Sequence, residues 1–549
     1  MMAFLLTYFY QLIKYTCELI LVNLHMLKLK DNLDNTFTNE LPADKMVSNE
    51  TRQVVEAAFS YVDPKKLSNP SLIHVSKEVA ESVGISVEET KSKEFLNIFS
   101  GKTILKNTKP YAMAYAGHQF GNWAGQLGDG RAITLFETLN NNTKTTFQLK
   151  GAGKTPYSRN GDGLAVLRSS IREHLCSEAM FHLGVPTTRS LALFTSGNMV
   201  LRDVLYNGNA DYEKGAIVCR TAPSFIRFGN FELFASREDT KNLQLLADYT
   251  IKHYYPEIKS EGKEKYLEFF ETVADKTREM IVHWQRVGFV HGVMNTDNMS
   301  IHGITIDYGP YGWLEDYNPS WTPNTTDNQN KRYRFGNQPQ IAQWNLLQLA
   351  NALFPLIEDA RALEHILNNF SIQYQADYLQ MMHRKLGFES YNEETKVIVD
   401  LLTENLQLTE TDMTIFFRNL SHIDKDDSVE NAFDKLKDAF YKTDQVTGII
   451  YNTWLHWFAK YIKQLEAENQ SDLERKKSMN LVNPKYVLRN YMVQLAIENA
   501  DKGDYNLLNQ LYKMLLKPYA EQKTHEKWFA KRPDWARNKV GCSALSCSS

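Results

Sequence analysis

Between residues 110 and 235 short apolar runs alternate with glycine-rich turns, as in "RAITLFETL" and "TTFQLKGAG", and this two-residue period predicts a sheet. A helix is predicted inside the same stretch, where Leu167, Ile171, Leu175, Ala179 and Leu183 recur at every fourth position until Gly184 and Pro186 close the run. Glu173 lies off that apolar stripe, so its carboxylate needs a reason only if something basic faces it. Beyond about residue 240 the period becomes that of amphipathic helices, beginning with "EFFETVADKTREMIVHWQRVG" and continuing from 340 to 520. The segment from Asn318 to Asn337, "NPSWTPNTTDNQNKRYRFGN", lacks periodicity and is predicted as a long surface loop, of a kind that is usually functional or disordered. The pattern predicts an α+β chain with a sheet-containing N-terminal lobe over 26–235, a mainly helical C-terminal lobe over 236–535 and a flexible tail over 536–549.

The first 25 residues, "MMAFLLTYFYQLIKYTCELILVNLH", are apolar but lack a leading positive charge, and Lys14 and Glu18 interrupt them short of a membrane span. No stable membrane insertion is expected, and Met26 is the favoured start of the functional chain. A length of 549 residues exceeds what one small core fills. The net charge of -3 argues against nonspecific nucleic-acid binding, because no basic excess faces a phosphate backbone. Five scattered cysteines are too few for a secreted disulfide scaffold, which points to a reducing, cytoplasmic setting. Cys542 and Cys547 sit in the Ser-rich stretch "VGCSALSCSS", where exposed thiols are expected, either inert or redox-active.

The candidate chemistry lies in "HGVMNTDNMSIHGITIDYGPYG", residues 291–312. Read as a strand end and loop followed by a short strand "ITID", it brings Asn298 and Asp307 together. An amide oxygen and a carboxylate, completed by water and phosphate oxygens, suit magnesium held against a nucleotide. The step from His291 to Asn298, followed by Asp307-Tyr308-Gly309, resembles the paired catalytic-loop and metal-ligand motifs of protein kinases. The bland alternative is a polar turn that uses Asn and Asp for its own hydrogen bonds. Val293 occupies the kinase base position and cannot accept a proton, whereas Asp297 offers a carboxylate of its own. Upstream, Gly128 and Gly130 precede a strand, where a missing Cβ lets backbone approach phosphate. Lys150 ends a strand and Glu173 follows on the helix, in the order of the kinase Lys–Glu pair, although a purely structural ion pair would read the same. Asp162 and Gly163 stand just before the helix. Arg220 and Arg227 carry guanidinium forks that suit phosphate, but such arginines are more often surface residues than ligands.

Four stretches, "YAGHQFGNWAGQLGDGRA", "QLKGAGKTPYSRNGDGLAVLRSSIREHL", "HGVMNTDNMSIHGITIDYGPYG" and "RYRFGNQPQIAQWNLLQLA", closely resemble the selenoprotein O family, from about residue 26 to the end of the chain. The resemblance implies a pseudokinase-like, two-lobed protein-kinase fold that binds ATP reversed relative to kinases and transfers AMP to Ser, Thr or Tyr hydroxyls of proteins. It further implies that Gly128, Gly130, Arg131, Lys150, Asp162, Gly163, Arg220 and Arg227 contact ATP and that Glu173 holds Lys150. Asn298 and Asp307 would bind Mg2+, with Mn2+ as the alternative, Asp307 also bordering the nucleotide, and Asp297 would accept the proton. Cys547 fills the family's C-terminal selenocysteine or cysteine position. The loop after Asp307 lacks the partner cysteine of some relatives, which leaves Cys542 with Cys547 or an intermolecular disulfide. The rivals to adenylyl transfer are an ATP-dependent phosphotransferase and a catalytically inactive nucleotide-binding scaffold.

Overall fold

The computed structural model describes residues 28–203, 208–543, 545 and 546. The N-terminal extension with its Met26 start, Cys17 and Cys547 lie outside the described residues. The chain is mixed α/β, sheet-rich toward the N-terminus and helical toward the C-terminus.

The eight-stranded sheet consists of β1 (Phe59–Tyr61), β2 (Ser71–Val75), β3 (Tyr111–Met113), β6 (Ala132–Asn140), β7 (Thr143–Lys150), β8 (Ala165–Val166), β9 (Arg189–Asp203) and β10 (Ala210–Ala222). Its order is β1-β3-β6-β7-β10-β9-β2, with β8 beside β10. A separate pair, β4 (Ala116–Gln119) and β5 (Asn122–Gln126), forms a hairpin away from it. Asn141 and Asn142 join β6 to β7 with φ of 48° and 61°, the left-handed pair that a two-residue turn between twisted strands demands. The period of two in β7 then sorts its side chains. Phe147 and Leu149 enter a core with Ile133, Leu135 and Cys219, while Gln148 and Lys150 take the opposite face.

That opposite face is covered by α1 (Leu167–His182), whose Ile171, Leu175 and Ala179 are fully buried in one core with Ala216 and Val218 of β10. Gly184, at φ 72°, and Pro186 end α1 as the sequence predicts. The short α2 (Phe228–Ala235) leads to the helical half, dominated by α3 (Gly262–Val287), α4 (Gln338–Ile357) and α5 (Ala360–Leu386). Gly288, at φ 73°, stops α3 and turns the chain into β11 (Phe289–Val290). The helices Asn490–Ala500 and Asn506–Leu515 return to pack on α1, and Tyr512 donates to Ser76 Oγ at 2.8 Å. Among the described residues no helix is long and apolar enough to cross a membrane.

Two expectations are corrected and a third is refined. "ITID" is not a strand: β11 pairs with β12 (Gly312–Trp313), and Thr305 makes only an isolated parallel bridge to Thr187. The period misleads there because Ile306 is buried by neighbouring elements rather than by a strand partner. The stretch from Asn318 to Asn337 is irregular and largely exposed, as expected of a surface loop, but it is anchored inward by the buried Asn324, Asp327, Tyr333 and Phe335. Side-chain bonds replace regular structure in it, with Asn324 Nδ2 donating to the Gly292 carbonyl and Asp327 accepting from the Arg332 and Tyr333 amides. Cys542 is buried rather than exposed, and burial pushes its thiol up to about 11. Leu545 explains this packing: its amide donates to the Pro323 carbonyl, and its own carbonyl receives the Thr325 amide.

Candidate active site

A cleft of about 840 Å³ opens between the sheet and the 291–310 segment. Its base is built by strand register. Val218 of β10 lies opposite Lys150 and Arg220 opposite Gln148, so these side chains share the face turned toward α1 and Asp307. Lys150 Nζ meets Glu173 at 2.7 Å and Asp307 at 3.3 Å. Arg220 donates to Glu173 at 2.9 Å and to Asp307 Oδ1 at 2.6 Å, and its other nitrogens clasp Gln148 Oε1 at 2.7 and 3.0 Å. Arg227, beside the start of α2, donates through Nη1 to Asp307 Oδ2 and to the Asp297 carbonyl, both at 2.7 Å.

Three cations therefore converge on one carboxylate. Burial alone would push the Asp307 carboxyl up, but Arg220, Arg227 and Lys150 overcome it and hold the group well below the usual carboxylate range. Its backbone sits at φ 58°, a left-handed conformation that a residue other than glycine rarely adopts and that recurs where a site over-determines its geometry. His291 secures that loop, since its Nε2 donates to the Ile306 carbonyl at 2.9 Å, and burial lowers its pKa so that the ring stays neutral.

Asp297 presents a different environment. Burial pushes it up to about 6, with Arg227 and the Gln119 amide opposing. Gln119 Nε2 donates to Oδ2 at 3.2 Å, whereas Oδ1 is buried and has no hydrogen-bond partner. Asn298 ends the same short turn, and its Nδ2 donates to the Val293 carbonyl at 2.9 Å, which leaves the amide oxygen as its unused polar atom in the cleft. Among the described residues no group of three His, Cys, Asp or Glu could hold a metal. The cleft does offer oxygen donors, the Asn298 amide and the Asp307 carboxylate, and such a sparse set suits a hard cation that draws its remaining ligands from phosphate and water.

Gly128, Gly130, Arg131, Asp162 and Gly163 also line the cleft. At two of them the missing Cβ has a packing reason in the protein itself. A Cβ on Gly128 would lie 2.4 Å from the Tyr157 ring, and one on Gly163, at φ 69°, would lie 2.1 Å from the Gly153 carbonyl oxygen. Asp162 sits at the rim and pairs with Arg202 at 2.7 Å. Arg220 and Arg227 are not surface residues, being only 2% and 1% exposed. They go inside because Glu173, Asp307 and Gln148 satisfy their guanidinium groups.

Sequence reading missed Gln148, Gln119 and Asp129. Gln148 left a signal, a polar residue two positions before Lys150 on the same strand face. Asp129 is 1% exposed, accepts from Gln148 Nε2 at 3.2 Å and lies 3.8 Å from Arg227, and burial raises its pKa. Nothing local announces it.

A sequence model described as "Protein adenylyltransferase SelO" matches residues 44–516. The chain is 67% identical to a protein nucleotidyltransferase YdiU of Flavobacterium johnsoniae over 94% of its own length and 99% of that protein's. It is 53% identical to the YdiU protein of Rhodopirellula baltica and 51% identical to that of Aromatoleum aromaticum, with the same two shares covered in each case.

Proposed function

This chain belongs to the SelO family of protein adenylyltransferases, and from that premise we propose that the cleft binds ATP with Mg2+ and transfers AMP to Ser, Thr or Tyr hydroxyls of proteins on a two-lobed, protein-kinase-like scaffold. The observation that carries the reading is the convergence of three fixed cations, Lys150, Arg220 and Arg227, on Asp307 at the cleft, since these are the donor types that suit phosphate oxygens. Asn298 and Asp307 are the residues that would hold the metal, which when bound neutralises charge on the phosphates. Val293, in the place of a kinase base, leaves Asp297 as the carboxylate able to receive a proton.

In this mechanism the acceptor hydroxyl gives its proton to the Asp297 carboxylate as its oxygen bonds to the α-phosphorus. The bond from that phosphorus to the α,β-bridging oxygen breaks, and pyrophosphate leaves with the electron pair. Lys150 and the two arginines face the phosphates from a largely desolvated wall, where fixed charges stabilise a developing anion more strongly than water does. Gln119 donates to Asp297 Oδ2 and so holds the carboxylate in place.

Label position tests the reading. ATP labelled at the α-phosphate should mark protein and release pyrophosphate, while label at the γ-phosphate should not be transferred. Transfer of the γ label would make the protein a kinase, and ATP binding with transfer of neither would make it a scaffold.

A further inference from the structure

The β4–β5 hairpin lies directly over the turn that carries Asp297. A Cβ on Gly117 would stand 3.0 Å from Thr296 Oγ1 and 3.1 Å from the Asp297 Cβ, so the two segments touch backbone to side chain. The His118 amide donates to Thr296 Oγ1 at 2.8 Å, and the Phe120 amide donates to Asn295 Oδ1 at 3.2 Å and to the Tyr333 hydroxyl at 2.9 Å. Tyr333 in turn donates to Asn295 Oδ1 at 2.6 Å. These bonds bring "KRYR", residues 331–334, to the outer edge of the hairpin, beside the proton-accepting carboxylate.

That edge carries Lys331, Arg332 and Arg334 against the nearby carboxylate of the buried Asp327. The Arg332 guanidinium is fixed 4.6 Å from the Trp344 ring and fits against Gly121, where a Cβ would lie 3.2 Å from its Cζ. Its Nε is buried and has no hydrogen-bond partner. Lys331, Arg332 and Arg334 make no ion pair among the described residues, and Arg334 donates only to the Lys331 carbonyl. The nearby acids are committed elsewhere: Asp327 to the Arg332 and Tyr333 amides, and Glu232 to His118 at 2.6 Å. Trp123 at the hairpin, 46% exposed, and Leu347 on α4, 41% exposed, add apolar surface to this end of the molecule. Aromatic rings beside restrained, unpaired arginine are the composition of binding hot spots.

We propose that this rim is the docking surface for the acceptor polypeptide and that it selects segments carrying carboxylates next to the hydroxyl to be modified. The proposal rests on the reading of the cleft as an adenylyl-transfer site, because that reaction requires a polypeptide hydroxyl to approach Asp297 past the hairpin. Steering and register come from the three cations, while Trp123 and Leu347 supply apolar contact.

Binding is measured separately from transfer, so failure of one leaves the other readable. Two short fluorescent peptides are used, each with one central Ser, flanked by Glu in one and by Lys in the other. By anisotropy the full chain should bind the Glu-flanked peptide at least about tenfold more tightly at low salt, and the preference should shrink as salt is added. The double variant Lys331→Glu with Arg334→Glu should remove or reverse the preference, with its melting temperature reporting an intact fold. Arg332→Met should weaken the same peptide, but its packing role makes the double variant the deciding one. Equal affinity for the two peptides, an unchanged preference in the double variant, or tighter binding of a single-stranded RNA than of the Glu-flanked peptide would overturn the proposal. Peptide discrimination without any transfer of α-label would count against the reaction and not against the rim.

Discussion

A buried cluster of arginine and carboxylate in the helical half stands in contrast to the one that borders the cleft. In the helical half, Arg489 grips Asp412 with two parallel bonds of 2.7 and 2.9 Å, and both residues are almost wholly buried. Asp412 also accepts the Ile415 amide at the start of the Met413–Leu420 helix and the Tyr441 hydroxyl, so each of its oxygens is used by the fold. Its backbone, at φ -67°, is ordinary. Asp307 differs on each count: three cations share it, its backbone is left-handed, and its side chain is 19% exposed on the cleft. A matched, bidentate pair holds a structure together, whereas several cations gathered on one strained carboxylate at the edge of a cleft can also be reached by a further anion. Burial and short distances are common to both clusters. Sharing of the carboxylate, strain and access separate them.

The sharpest test removes the charge of Asp307. Asp307→Asn should reduce AMP transfer by on the order of 10,000-fold or more, since metal binding and phosphate positioning fail together. Transfer assays with α-labelled ATP measure this, and near-normal turnover would place Asp307 with the structural cluster. Asp297→Ala should retain ATP binding, read by calorimetry, and transfer AMP roughly a hundred- to ten-thousand-fold more slowly. In the closed cluster, Arg489→Met should destabilise the chain by about 3–5 kcal/mol in denaturant unfolding, because it strands a buried carboxylate, while transfer per folded molecule stays near wild type. Lys150→Met and Glu173→Gln should be non-additive in kcat/KM, with a coupling of about 0.5–3 kcal/mol if they act as one unit. Independent losses would reduce the pair to a structural contact.

The smallest effect is in pH. Asp297 must be ionised to receive a proton, and burial pushes it up to about 6. Transfer should therefore fall about tenfold per unit as pH drops below about 6 and level off above it. A rate independent of pH between 5 and 7, which are about one unit either side of that value, would remove Asp297 from the proton-accepting role.

How much of the site was legible follows from how local each signal is. Lys150 at a strand end, Glu173 off the apolar stripe of α1, and Asp307 before a Tyr-Gly turn are visible because their positions are set by neighbours in sequence. The burial of Arg220 and Arg227 was not visible. Those residues lie 87 and 80 positions from Asp307, and a guanidinium goes inside only where its carboxylate is already waiting. Gln119 and Asp129 were missed for the same reason, and so was the burial of Cys542, whose carbonyl is held by Asn490, 52 positions away.

The sequence by itself determined the sheet-then-helix order, the stop of α1 at Gly184 and Pro186, and the chemical types that line the cleft, since periodicity and turn chemistry act over a few residues. Tertiary structure decided which charges are shared and which are matched, which oxygen of Asp297 is left without a partner, and that the hairpin and "KRYR" meet beside it. The division has a physical cause. Local pattern fixes the face that an element buries, while the energy of a buried charge depends on partners that only long-range packing brings within a few ångströms.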